Sequence, residues 1–102
     1  MSQAESKLSR NIMSALRLHE WFCFKVHGSE TMMGGLPDII VCPRGYFIGL
    51  ETKMPGKRHE VSKRQAFVHD QIEASGGRVF VVCSVEEAVA VVEQFLTDVD
   101  KS

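Results

Sequence analysis

Asp38, Glu51 and Lys53 are ionisable side chains set in and beside two short apolar runs, residues 39–42 and 46–53. Glu51 and Lys53 are two apart, which puts both on one face of a strand. Between the runs, Pro43-Arg44-Gly45 is turn chemistry. With Arg44 and Gly45 as the turn residues, Pro43 opposes Tyr46 and Asp38 opposes Glu51. Directly opposed side chains on one face have Cβ atoms about 4.5–5.5 Å apart. Two carboxylates that close repel each other unless a cation lies between them, and a hard divalent ion with oxygen ligands, such as Mg²⁺, fits. A three-residue turn that used Pro43 would shift the register by one, and a bulge or twist would then have to return Glu51. Lys53 beside the pair offsets charge, orients a metal-bound water or stabilises a developing phosphorane charge. Gln65, downstream, is in reach to position the water. Phosphodiester hydrolysis asks for this set: a metal that activates water and polarises the phosphate, plus a positioned cation. Taken singly, each residue has a plainer reading: Asp38 as a turn former, Lys53 as a strand-end charge, Gln65 as a helix cap.

The elements that must position these groups follow from periodicity. Leu8, Ile12, Ala15 and Leu16 form the apolar stripe of an amphipathic helix over residues 3–18. Glu5 lies three residues before Leu8 on that stripe, where a carboxylate is costly without a partner or a metal. Residues 21–27 alternate and read as a strand; residues 28–35 form a polar, glycine-bearing loop. Pro37 opens the run 39–42, where a missing amide proton is tolerated. Residues 46–53 return as the second arm of a hairpin, and residues 54–60 form a basic loop. Ser62 with Gln65 is a capping box opening a helix whose inward stripe is Val61, Gln65, Val68 and Ile72. Gly76-Gly77 ends it. Residues 78–83 form a β-branched strand expected to be buried on both faces, and Ser84 with Glu87 is a second capping box. The last helix turns Val85, Val89, Val92 and Leu96 inward, with a frayed tail from Asp98. The order is α-β-β-β-α-β-α. The crossover from Lys53 to Arg78 is long enough to return parallel and right-handed, so an α/β fold with a mixed sheet flanked by helices on both faces is expected.

A chain of 102 residues with 44% apolar and 25% charged side chains is expected to form one globular domain, residues 1–102. No apolar run approaches the roughly 20 residues of a membrane span, and the N-terminal segment lacks a signal-peptide core. Cys23, Cys42 and Cys83 are odd in number and widely spaced, which points to an intracellular, reducing compartment. The net charge is only −1, but six basic residues stand against two acidic ones between Arg44 and Arg64, a local +4. From Asp70 onward, two basic residues stand against seven acidic, a local −5. That asymmetry suggests a cationic working face and an acidic back; a solvated helix surface is the plainer alternative.

Gly35-Leu36-Pro37-Asp38, a hairpin, Gly49-Leu50-Glu51-Thr52-Lys53, Ser62-x-x-Gln65, and Gly-Gly-x-Val-Phe-Val before Ser-Val-Glu-Glu-Ala together resemble the VRR-NUC family of the PD-(D/E)xK nuclease superfamily. The resemblance runs from Glu5 to about Phe95. It implies a single restriction-endonuclease-like domain and a metal-dependent endonuclease. In that reading Asp38 and Glu51 hold Mg²⁺ or Mn²⁺, Thr52 adds its carbonyl, and Lys53 is the catalytic lysine. Gln65 matches the family's helix glutamine and Glu5 the glutamate of its first helix. Stand-alone members of this size resemble bacterial and phage enzymes that act as homodimers on branched DNA, particularly four-way (Holliday) junctions, so a cytoplasmic location in a bacterium or phage-infected cell is implied.

Lys57, Arg58, Lys63 and Arg64 are expected to grip DNA phosphates beside Lys53, with His59 the histidine best placed to touch DNA. His19, His27, His59 and His69 show no metal spacing and otherwise read as structural or surface residues. Phe22, Phe24, Phe47 and Phe80 read as core rather than as base-stacking platforms. A catalytically silent DNA-binding or protein-adaptor domain of the same fold is the rival to the enzyme; a small-molecule-binding α/β module is a second.

Overall fold

Ser2 is the N-cap of helix α1, Gln3–Leu18, its hydroxyl accepting from the Glu5 amide while the Glu5 carboxylate accepts from the Ser2 amide. The computed structural model describes residues 2–28 and 30–102; Ser29, within the glycine-bearing loop expected over 28–35, lies outside them. Strand β1 (Cys23–Lys25) is shorter than the expected 21–27. Strands β2 (Ile39–Val41) and β3 (Ile48–Thr52) form the hairpin, and α2 (Lys63–Ala74) leads to β4 (Arg78–Val82) and α3 (Val85–Asp100). The sheet order is β1-β2-β3-β4, antiparallel except for the parallel β3–β4 pair. This is the mixed sheet and the α-β-β-β-α-β-α order that the sequence predicts.

The hairpin turn sets the register. Arg44 and Gly45 both have positive φ, 54° and 88°, and the Tyr46 amide donates to the Pro43 carbonyl at 3.0 Å. Two central residues of that hand make the two-residue connection that suits strand twist. Ile39 therefore pairs with Leu50, Ile40 with Gly49 and Val41 with Ile48. One more pair in the same register sets Asp38 opposite Glu51. Gly49 matters to this end of the strand, because a Cβ there would lie 2.5 Å from Cγ of Pro37. Its absence lets Pro37 lie against β3 and guides the chain into Asp38.

Ile39, Val41, Ile48, Leu50 and Val82 face one side of the sheet and pack with Ile12, Leu16, Ala88, Val92 and Phe95 of α1 and α3. The inward stripe of α3 is thus Ala88, Val92 and Phe95, with Val85 and Leu96 only partly buried. Helix α3 continues through the expected frayed tail to Asp100, whose carboxylate accepts two hydrogen bonds from Arg44 at 2.8 and 3.1 Å. Ser84 caps α3 by accepting from the Glu87 amide, but the box is not reciprocal: the Glu87 carboxylate accepts from the Cys83 amide instead.

Helix α2 lies on the opposite face, against β4. It covers only that half, so β4 is half-buried rather than buried on both faces, and the expected core positions Phe22, Phe24 and Phe47 are 68%, 44% and 45% exposed. These aromatics alternate onto the sheet face that α2 leaves open; Phe80 points the other way and packs with the core.

Candidate functional site

Asp38 and Glu51 meet where the hairpin arms part, and each is held by backbone or side-chain donors. The Asp38 carboxylate accepts the Thr52 amide at 2.8 Å, and the Asp38 carbonyl accepts the Val26 amide at 2.8 Å. Asp38 thus extends both ladders with its own polar groups, which fixes its carboxylate beside β3. Lys25 Nζ stands 4.0 Å from the other carboxylate oxygen.

Glu51 is 2% exposed, near the end of a central strand whose preceding residues are apolar. One oxygen accepts a hydrogen bond from Gln65 Nε2 at 3.1 Å. The same Gln65 accepts the Ser62 amide through Oε1 at 2.8 Å, so one side chain both completes the cap of α2 and clamps Glu51. Gln65 thus stands at the carboxylate, where the sequence expects it, and orients Glu51 through one of its two amide hydrogens. The second Glu51 oxygen faces His69 Nε2 at 3.4 Å, and both atoms are buried without a hydrogen-bond partner among the described residues. Burial, and next the Asp38 charge, push the Glu51 carboxyl up to about 8, against the opposing pull of Lys53 and Lys25. Burial holds the His69 imidazole below its usual range, so at neutral pH this contact is not a salt bridge.

Periodicity offered a way to find His69: it stands four residues after Gln65, on the same face of one helix. Its spacing to the other histidines pointed elsewhere, and the functional partner lies across the fold rather than along the chain.

A divalent cation fits these residues. Two carboxylates lie side by side, one buried oxygen is unsatisfied, and the buried carboxylate holds its proton well above the usual range, all of which a hard cation with oxygen ligands would relieve. Thr52 points its hydroxyl to the other face, 3.3 Å from Ser9 Oγ. Glu5 is not brought to the pair. Its carboxylate closes the α1 capping box with Ser2, and no group of three or more His, Cys, Asp or Glu side chains converges among the described residues. The stripe position that made Glu5 look costly is satisfied by that cap.

Lys53 has no ion partner among the described residues and is half-buried beside Glu51. The basic segment that follows divides. Lys63 and Arg64 are exposed at the start of α2 with no ion partner among the described residues, and His59 is exposed. Lys57 pairs with Glu60 at 3.9 Å. Arg58 is half-exposed but engaged within the chain, donating twice to Glu87 at 2.7 Å and to the Val81 carbonyl at 2.6 Å. With Arg44 bound to Asp100, two links join the basic segment to the acidic one. The segregation of charge along the sequence is therefore partly cancelled in space.

No family model and no curated protein matches the sequence. Among solved structures, the chain is similar to one described as "VRR_NUC domain", with a TM-score of 0.72 and 22% sequence identity over 90% of this chain and 97% of that chain. At that identity the likeness is one of fold. The chain has the fold of a VRR_NUC domain, the restriction-endonuclease-like architecture implied by the motif order.

Proposed function

We propose that this chain is a divalent-metal-dependent endonuclease that hydrolyses DNA phosphodiester bonds. The observation that carries the reading is the buried Glu51 carboxylate, set opposite Asp38, with one oxygen unsatisfied and Lys53 beside it without an ion partner among the described residues. A buried carboxylate with one oxygen unsatisfied costs stability, and a site for a hard cation gives that cost a use. Asp38 and Glu51 would hold Mg²⁺ or Mn²⁺, which when bound supplies an activated water and polarises the phosphate. Gln65 keeps Glu51 in place, and His69 packs beside its other oxygen. Lys53 neutralises charge that builds on the phosphate oxygens during attack. Lys63 and Arg64 hold flanking phosphates and add affinity without base specificity.

Branched DNA and a homodimer extend the same reading. One set of Asp38, Glu51 and Lys53 cuts one strand, and symmetric resolution of a four-way junction needs two cuts related by a two-fold axis, which a C₂ dimer supplies. The open sheet face bearing Phe22, Phe24 and Phe47 is the apolar surface that a second copy would cover.

Incubation of the purified protein with four-way junction, flap and linear duplex DNA, with Mg²⁺ or Mn²⁺, tests the proposal. Paired, symmetric nicks in the junction support it throughout. Binding without cleavage of any of the three assigns the fold to a silent DNA-binding role. Light scattering that finds a free mass near 11.4 kDa, and only one such chain per bound junction, removes the dimer and leaves the hydrolysis standing.

A further inference from the structure

A cleft of about 560 Å³ opens beside Asp38, on the flank formed by α1 and β1. Ser6, Ser9 and Arg10 of α1, and Lys25 and His27 from β1 and the residues after it, line it together with Asp38 itself. No residue of α2, and none of the basic loop that precedes it, belongs to this wall. Met13, Val26 and Gly28 complete the wall, and its polar side chains other than Asp38 can donate. Arg10 presents a five-donor fork with no ion partner among the described residues, and His27 is likewise exposed and unpaired. Lys25 bridges cleft and carboxylate, its ammonium 4.0 Å from Asp38. Asp38 is the only acidic residue in the lining.

An open trough with cationic donors, continuous with Asp38, suits an extended anion better than a small enclosed one. Arginine forks match phosphate geometry two bonds at a time, and the Ser6 hydroxyl adds a neutral donor; the Ser9 hydroxyl is buried and donates to Thr52. Lys63 and Arg64 open α2, which packs on the sheet face opposite α1, so the two cationic groups belong to opposite faces of the sheet. We infer that the α1–β1 cleft is a phosphate-backbone subsite, in which Arg10 and His27 hold the phosphate neighbouring the scissile one as the strand passes from α2 across Asp38 and Glu51. This rests on the nuclease reading and adds to it the path of the cut strand and a second set of contacts. It also explains how the chain keeps a cationic approach after Arg58 and Arg44 are taken up by Glu87 and Asp100.

The test combines the double variant Arg10→Gln/His27→Gln with DNA carrying a single neutral methylphosphonate, placed in turn at each position around the cut. Binding is followed by fluorescence anisotropy with Ca²⁺ in place of Mg²⁺, across a salt series. Both substituted side chains are exposed, and thermal melting checks that the variant folds as the wild type does. Loss of one phosphate contact should lower the salt slope by about one. The expected result is about a tenfold loss of affinity and a shallower slope in the variant. In the wild type, one neutralised phosphate next to the cut should weaken binding, and in the variant that same substitution should cost nothing more. A variant that keeps wild-type slope and affinity, or that still loses affinity at that phosphate, overturns the subsite while cleavage by the wild type leaves the nuclease reading intact. A wild type that neither binds nor cuts DNA removes both.

Discussion

Replacing Glu51 with glutamine should make the metal-free protein more stable while abolishing cleavage. Glu51 is 2% exposed, and its carboxyl is raised from 4.5 to about 8. Between those two values the folded chain keeps a proton that the unfolded chain has lost, so stability falls as pH rises through this window. At about 1.4 kcal/mol per pH unit, the penalty is near zero below pH 4.5, about 3 kcal/mol at pH 7 and about 5 kcal/mol above pH 8. Glutamine is neutral at every pH, accepts from Gln65 Nε2 through its own oxygen, and offers an amide donor toward His69 Nε2, the two partners Glu51 faces now. For a domain of this size, 3 kcal/mol corresponds to a rise in Tm of roughly 12–24 °C. Urea or thermal unfolding of both proteins in chelator, at pH 5 and pH 8, measures it. The difference between the two proteins isolates Glu51, because His69, buried and neutral, makes each curve rise with pH through the imidazole range. Saturating Mn²⁺ should stabilise the wild type and leave the variant unchanged. A variant no more stable than wild type at pH 8, or a difference that does not grow from pH 5 to pH 8, would refute the claim that Glu51 is held at a cost for the sake of a cation.

Lys53→Met should lower the cleavage rate by about 10²–10³ with DNA affinity changed by less than about tenfold, since Lys53 is assigned to charge that builds during reaction; single-turnover kinetics beside anisotropy separates the two. Gln65→Ala should cost about 1–2 kcal/mol of stability from the lost cap and also weaken Mn²⁺ binding by calorimetry, a pairing that a cap without the Glu51 contact would not produce. Arg58→Ala should leave the salt dependence of DNA binding unchanged, whereas Lys63→Ala/Arg64→Ala should flatten it by about two, because Arg58 is already engaged by Glu87.

What the sequence made legible was local. The Arg44-Gly45 turn fixes the hairpin register within a few residues, and that register carries Asp38 to Glu51 without help from the rest of the fold. The Ser62–Gln65 capping box was equally readable, and its second use as a clamp on Glu51 follows once α2 is laid on the sheet. Most of the errors are at longer range. His69 acquires its partner 18 positions back in the chain, and periodicity says nothing about which strand a helix face meets. Arg58 and Arg44 looked like free cations because Glu87 and Asp100 belong to a helix that folds back over the sheet. Phe22, Phe24 and Phe47 have the alternation of a buried face, but one helix of α2's length shields only the β4 half. Alternation reports that a sheet has an apolar side and is silent on whether the same chain covers it. Glu5 is a local case: of the partner or metal that its stripe position called for, it has the partner, three residues away in Ser2.

The most direct measurement follows a single labelled phosphodiester in one preparation: with Mg²⁺ or Mn²⁺, after chelation, and after the ion is restored, with Asp38→Ala treated identically. Cleavage that stops on chelation, returns with the ion and is absent from Asp38→Ala at every stage is the predicted result. Cleavage that persists in chelator, or that Asp38→Ala retains at the wild-type rate, contradicts hydrolysis by a cation held between Asp38 and Glu51.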